Sequence, residues 1–189
     1  MILPVIAYGH PILRKVSEEI NESYPNLKEL IDNMYETMYH SVGVGLAAPQ
    51  IGLNIRLFII DASPIMEDDE QKENAKKVFI NPKIIEETGD EWAFSEGCLS
   101  IPEINEDVIR KPKIRLDYYD ENFNHHDEWI DGLVARVIQH EYDHLEGKLF
   151  VDMINSLKKT ILKRKLQDIT KGVTAAKYKM IFPSKKKKR

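Results

Sequence analysis

The chain has 189 residues, 42% of them hydrophobic, with 31 acidic and 27 basic side chains and a formal net charge of −4. That length suits one compact domain, and no apolar run approaches the roughly 20 residues of a membrane span, so neither a membrane nor DNA is an expected partner. Cys98 is the single cysteine, which excludes an internal disulfide, and a free thiol agrees with a reducing, cytoplasmic setting.

Met1 to Ile6 is apolar but short, has no basic residues before it and is closed at Pro4, so it reads as a strand rather than a targeting segment. Asn26 to about His40 carries Leu27, Leu30, Ile31, Met34, Tyr35 and Met38 at helical spacing, with Asn26 a candidate cap after Pro25. Gly43-Val44-Gly45-Leu46-Ala47-Ala48-Pro49-Gln50-Ile51-Gly52 is a small-residue turn between that helix and a strand. Two glycines flank Val44, so the backbone of a ligand can come close; Gln50 is open to either a surface or a site role. Arg56 to Asp61 reads as a buried strand, and Met66 to Lys77, charged and without periodic apolar positions, as an exposed excursion. Val78 to Ile85 resumes strand character, broken or edged at Pro82. Ile114, Leu116 and Tyr118 alternate with Arg115 and Asp117, and Asp120 to Asn124 suggests a hairpin turn.

Leu133, Val134, Val137, Ile138, Leu145 and Leu149 then recur at helical spacing, behind Asp131 as a plausible N-cap and up to Gly147, where a left-handed terminator belongs. Asn155 to Thr170 forms a second long helix, with Leu157, Ile161, Leu162, Leu166 and Ile169 as its stripe. Thirteen of the 27 basic residues but only one of the 31 acidic ones, Asp168, lie from Asn155 onward. The body is therefore acidic and its end strongly basic, a pattern able to meet an RNA backbone such as that of the ribosome or simply to stay solvated. The order of elements indicates an α+β fold: short antiparallel or mixed sheets packed around a central metal-binding helix, with a C-terminal helix. Residues 1–171 are expected to form one catalytic domain and residues 172–189 a basic, flexible tail.

The chemistry concentrates in Ile138-Gln139-His140-Glu141-Tyr142-Asp143-His144-Leu145-Glu146-Gly147. Positions i and i+4 lie one turn apart on one helix face, so His140 and His144 can grip one ion while Glu141 reaches a water beside it. The apolar positions anchor this helix in a core, which gives the ligands a rigid support. A catalytic metal usually has three protein ligands and one open position. Cys98, in Ser95-Glu96-Gly97-Cys98-Leu99-Ser100, is the candidate for the third; as a thiolate beside two neutral imidazoles it leaves a divalent site with a net charge of about +1, still a Lewis acid. Gly97 permits close approach, and Glu96 can orient a ligand from behind.

Gly43 to Gln50, Glu96 to Ser100 and His140 to Gly147 together closely resemble the three signature motifs of peptide deformylases, in that family's order, and the resemblance runs from the Pro4 region to about Val151. It implies hydrolytic removal of the N-formyl group from the formylmethionine that starts a nascent polypeptide, releasing formate. It further implies Cys98, His140 and His144 as metal ligands, Glu141 as general base, and the Gln50 amide with the Leu99 backbone N–H as oxyanion donors. Substrate contacts fall to Gly43, Val44, Gly45, Leu46, Glu96, Gly97, Leu133 and Val137. The resemblance favours Fe²⁺ as the working ion, with Zn²⁺, Ni²⁺ or Co²⁺ able to replace it. Arg136 is expected to face outward, and Arg110 to lie at the surface or touch peptide carbonyls. His10, His40, His125 and His126 match no motif.

Two other readings compete. An HExxH peptidase cleaving internal peptide bonds would need a third ligand downstream, where only Glu146, Asp152 and Asp168 follow His144. A non-enzymatic RNA-binding protein with a structural metal would need a fourth protein ligand, and none is evident.

Overall fold

The structure, a computed structural model, describes residues 1–66 and 75–183; most of the charged 66–77 excursion and the terminal lysine run lie outside the described residues. Among the described residues, three helices, α1 (Leu27–His40), α2 (Gly132–Leu145) and α3 (Ser156–Thr170), combine with nine strands. The central sheet is antiparallel, in the order β2 (Gly45–Ala47), β3 (Leu57–Asp61), β4 (Lys76–Thr88), β7 (Lys113–Tyr119) and β8 (His125–Asp131). Strands β5 (Trp92–Cys98) and β6 (Ile101–Arg110) form a separate antiparallel hairpin. The fold is α+β, as the order of elements predicts.

Strand periodicity explains the layering. Successive side chains point to opposite faces, and β3 is buried on both: Leu57 and Ile59 pack with Met34 and Met38 of α1, whereas Phe58 and Ile60 pack with Ala135 and Ile138 of α2. In β7 one face alone is buried, so Ile114, Leu116 and Tyr118 point to the α2 side. Strand β4 does not stop at Pro82; its register with β7 shifts between Ile80 and Lys83, and Asn81 adopts φ 50° there. The sheet's helix α2 is thus clamped between the central sheet and the hairpin.

The caps correct two expectations. Asn26 stands at the N-cap of α1, but in the left-handed region (φ 55°) and without a side-chain cap bond. Asp131 likewise precedes α2 without capping it through its side chain. Gly147 does what its position predicts: at φ 68° it lets its own N–H return to His144 O (3.3 Å) and that of Lys148 to Asp143 O (2.8 Å), the paired bonds that close a helix through a left-handed residue. A Cβ there would lie 2.7 Å from Arg14 O, so α2 ends tightly and its last turn, with His144, is fixed.

Helix α3 buries less than its stripe suggests. Leu166 and Ile169 enter the core formed with Ile101, Ile104, Val108 and Phe150, whereas Leu157 is 70% and Ile161 69% exposed. The expectation of a flexible tail from residue 172 is corrected as well. Residues 172–183 run back along the body, and β9 (Met180–Ile181) pairs in parallel with β1 (Val5–Ile6). Met180 and Phe182 pack against the same core as α3.

Candidate active site

Helix α2 presents His140 and His144 on one face with ring centroids 5.3 Å apart, and the end of β5 brings Cys98 to them. A register shift between Gly97 and Cys98 interrupts the hairpin and re-aims the cysteine; its Sγ lies 3.3 Å from His144 Nε2. One ligand atom from each of the three residues falls within 4.8 Å of the others, the one such cluster found among the described residues. Two imidazoles and a thiolate at these separations suit a divalent transition metal and leave a coordination position free. The donor set fits the ion, and the environment of its ligands supports this.

Glu96 organises that environment. Its carboxylate accepts from His140 Nδ1 (2.9 Å), leaving His140 Nε2 for the cluster. The same carboxylate takes a two-pronged bond from Arg110 (2.7 and 3.0 Å) and one from Arg136 (3.2 Å), while Arg110 reaches Asp143 at 2.7 Å. Neither arginine faces outward: both are buried, and Arg136 lies over the Trp92 ring at 4.4 Å and donates to Trp92 O and Val108 O. The two cations balance Glu96 and Asp143, which is the condition for holding charge in a core. Against the upward push of burial, hydrogen bonds from His140 and Arg110 hold the Glu96 carboxyl down to about 2.

Glu141 is the opposite case. It is buried, and its Oε2 has no hydrogen-bond partner. Burial pushes its carboxyl up to about 7, with His140 pulling the other way. Such a group can exchange a proton near neutral pH. Gly45 explains how β2 comes so close: a Cβ there would stand 2.3 Å from Glu141 Oε1.

These groups border a cavity of about 570 Å³. One wall is the edge of β2 with its approach, Val42 to Gly45; another is Phe94 to Leu99; a third is the Val137–Glu141 face of α2. Gln50 stands at the inner end, its Oε1 accepting from Ala47 N–H at 2.8 Å and its Nε2 lying 3.4 Å from Cys98 Sγ and 3.3 Å from Ser100 Oγ. Of the residues singled out in the sequence, Gly43, Val44, Gly45, Gln50, Glu96, Gly97, Cys98, Leu99, Val137, His140 and Glu141 share this cavity, with His144 directly behind Cys98. Leu46 and Leu133 do not reach it: Leu46 turns to the α1 side of the sheet, as strand alternation requires between Gly45 and Ala47, and Leu133 sits a turn too early on α2. Ser100 and Tyr178 were not legible as site residues, the sequence points Arg136 outward, and it leaves Arg110 open between the surface and a peptide contact. Only Ser100, inside a motif segment, carried a local signal.

An α+β body whose buried helix offers two histidines to a cysteine, beside an unpartnered carboxyl, defines a metal-dependent hydrolase. The family described as "Polypeptide deformylase" matches residues 2–160. The peptide deformylases of Christiangramia forsetii and Flavobacterium johnsoniae are 58% and 56% identical to it over 100% of both chains. Among solved structures, a peptide deformylase from Legionella pneumophila is 36% identical with a TM-score of 0.78, over 90% of this chain and 96% of that one. That of Plasmodium falciparum is 34% identical with a TM-score of 0.80, over 89% and 95%. The chain belongs to the peptide deformylase family. It is a metal-dependent hydrolase that removes the formyl group from the N-terminal formylmethionine of newly synthesised polypeptides.

Proposed function

We propose that Glu141 moves the protons of deformylation beside a metal ion that Cys98, His140 and His144 would hold. The observation that carries this assignment is the unpartnered, buried Glu141 carboxyl next to the converging ligand atoms. A bound ion would supply Lewis acidity and one open position for the reacting water. Glu141 would take a proton from the attacking water as its oxygen adds to the formyl carbon, then return the proton to the departing amine. The C–N bond breaks, and formate and the free amino terminus result. The Gln50 side-chain amide and the Leu99 backbone N–H donate to the oxygen that gains charge. Glu96 keeps His140 in the tautomer and orientation that ligation demands.

Strand β2 is an edge of the central sheet. An extended substrate can add to it along Gly43 to Gly45, with Glu96 and Gly97 of β5 across the cleft. Val137 sits at the apolar floor where the methionine side chain fits. Residues 1–171 carry the proposed metal ligands, the general base and the oxyanion donors and act as the catalytic domain.

Loss of an oxyanion donor typically costs about 10²–10³ in rate. Gln50→Ala is therefore expected to lower formate release from a formyl-Met dipeptide by that factor at wild-type metal content. An unchanged rate would remove Gln50 from the reaction. Fe²⁺ is the working ion in this reading on the strength of the family resemblance, since thiolate and imidazole ligands alone do not choose among Fe²⁺, Zn²⁺, Ni²⁺ and Co²⁺. Metal analysis and activity of protein purified without oxygen check this; a fully active preparation that contains no iron would contradict it.

The enzyme acts in the cytoplasm, where its thiol stays reduced and nascent chains emerge. Its basic C-terminal region meets the ribosome: on α3, Lys159, Lys163 and Arg164 are exposed around Leu157 and Ile161. Cosedimentation with ribosomes should fall steeply with added salt; absence of binding at low salt would refute the contact. Among the described residues no helix is long and apolar enough to cross a membrane.

A further inference from the structure

The chain past residue 160, where the family match ends, completes the cavity. After α3 the N–H of Val173 closes on Asp168 O at 2.9 Å, and the chain then doubles back. Ala175, Ala176 and Tyr178 line the cavity on the side of Pro102 to Asn105. Three separate attachments hold this strap. Glu103 Oε2 accepts from Ala175 N–H at 3.0 Å and from Thr174 Oγ1 at 3.3 Å. The Tyr178 hydroxyl donates to Leu99 O at 2.8 Å. Beyond it, β9 is stitched to β1.

Glu103 has φ 64°, a backbone conformation that residues with side chains rarely adopt. Lys165 of α3 donates to its carbonyl. The hairpin residue facing the strap is thus fixed from both its backbone and its carboxylate. Lys177 and Lys179 are exposed on either side of the half-buried Tyr178.

We propose that residues 174–178 form the outer wall of the substrate cleft and read the residues that come after the formylated methionine, with Tyr178 as a positioning residue for Leu99. This rests on the proposed roles of Leu99 and the β2 edge. The reacting group must sit at Glu141 and Cys98, so an extended peptide leaving that point along the β2 edge passes Leu99. Leu99 is in turn contacted from two directions: a Cβ on Gly43 would lie 2.9 Å from its Cδ1, and Tyr178 grips its carbonyl. The next surfaces outward are Ala175 and Ala176, whose small apolar side chains leave room for varied side chains at the second and third substrate residues. By fixing the carbonyl of Leu99, Tyr178 limits rotation of the backbone that presents the Leu99 N–H to the oxyanion.

The test compares formyl-Met with a formyl-Met tripeptide on full-length, metal-loaded protein. Ala175 is exposed, so Ala175→Trp can fill the cleft without displacing core residues. It is expected to lower the tripeptide-to-formyl-Met ratio of kcat/KM about tenfold, chiefly through the tripeptide KM. Tyr178→Phe, which keeps the ring and loses the hydroxyl, is expected to lower kcat about tenfold on both substrates with little change in KM and an unchanged metal content. An unaltered substrate ratio in Ala175→Trp would overturn the wall, and an unaltered kcat in Tyr178→Phe would overturn the positioning role. Wild-type protein that turns over the tripeptide while both variants behave like it would leave the proposed function standing and sink this inference alone. Wild-type protein that releases no formate would take both down.

Discussion

Glu141→Gln is expected to lower formate release about 10²–10⁴-fold at unchanged metal content. The substitution keeps shape and removes the carboxyl proposed to accept and return the proton. It should not unfold the protein, and the sign of the titration says why. Burial raises the folded carboxyl from an ordinary 4.5 to about 7, with His140 opposing. Ionising a group whose folded value is raised weakens the fold progressively above pH 4.5, and fully above about 7. A neutral amide escapes that penalty, so the variant should melt at or above the wild-type temperature at pH 8. Steady-state assays and thermal melts on the same preparation check both halves. Wild-type turnover would remove Glu141 from the mechanism, and a large fall in Tm would make it a structural residue instead.

The largest stability effect is expected at Glu96. Glu96→Ala leaves Arg110 and Arg136 buried without their shared carboxylate, and breaking a buried pair from one side costs about 3–5 kcal/mol. For a chain of this size the Tm falls by roughly 2–4 °C per kcal/mol. Because His140 loses its orienting acceptor too, metal affinity should drop about 10–100-fold. The pH dependence has the reverse sign to that of Glu141. The folded Glu96 carboxyl lies near 2, below its ordinary 4.5, because His140 and Arg110 outweigh burial. Its contribution is therefore complete above pH 4.5 and fades as pH falls through about 2. Wild type and variant should converge in stability towards pH 2; a gap that stays constant between pH 6 and 3 would show that Glu96 acts through packing rather than charge.

The contrast between these two carboxylates marks what a sequence can disclose. Glu141 was legible because its chemistry is local: the helical period alone puts it between His140 and His144, and apolar neighbours anchor the turn. Cys98 was legible as the lone thiol in a chain that needed a third ligand. The pairing of Glu96 with Arg110 and Arg136 spans 14 and 40 residues, and nothing near Arg136 in the sequence says that a carboxylate waits across the cavity; a buried arginine looks like a surface one until its partner is placed. Leu157 and Ile161 erred the other way, since helical spacing identifies a face without showing that anything covers it. Residues 172–183 read as a solvated tail because of their lysines, yet Lys177 and Lys179 stay exposed while Tyr178, Met180 and Phe182 are half-buried against the body. Leu46 and Leu133 show the limit of carrying roles by neighbourhood: one residue along a strand is the other face of the sheet, and one turn along a helix is outside the cleft.

The central claim is that a thiolate and two imidazoles share one ion and leave it a position free. Anomalous diffraction at the metal edge, from crystals of the loaded protein, tests it most directly. One peak contacting Cys98 Sγ, His140 Nε2 and His144 Nε2, with no fourth protein atom as ligand, is the predicted result. A peak away from Cys98, or a fourth side chain closing the site, would contradict the account.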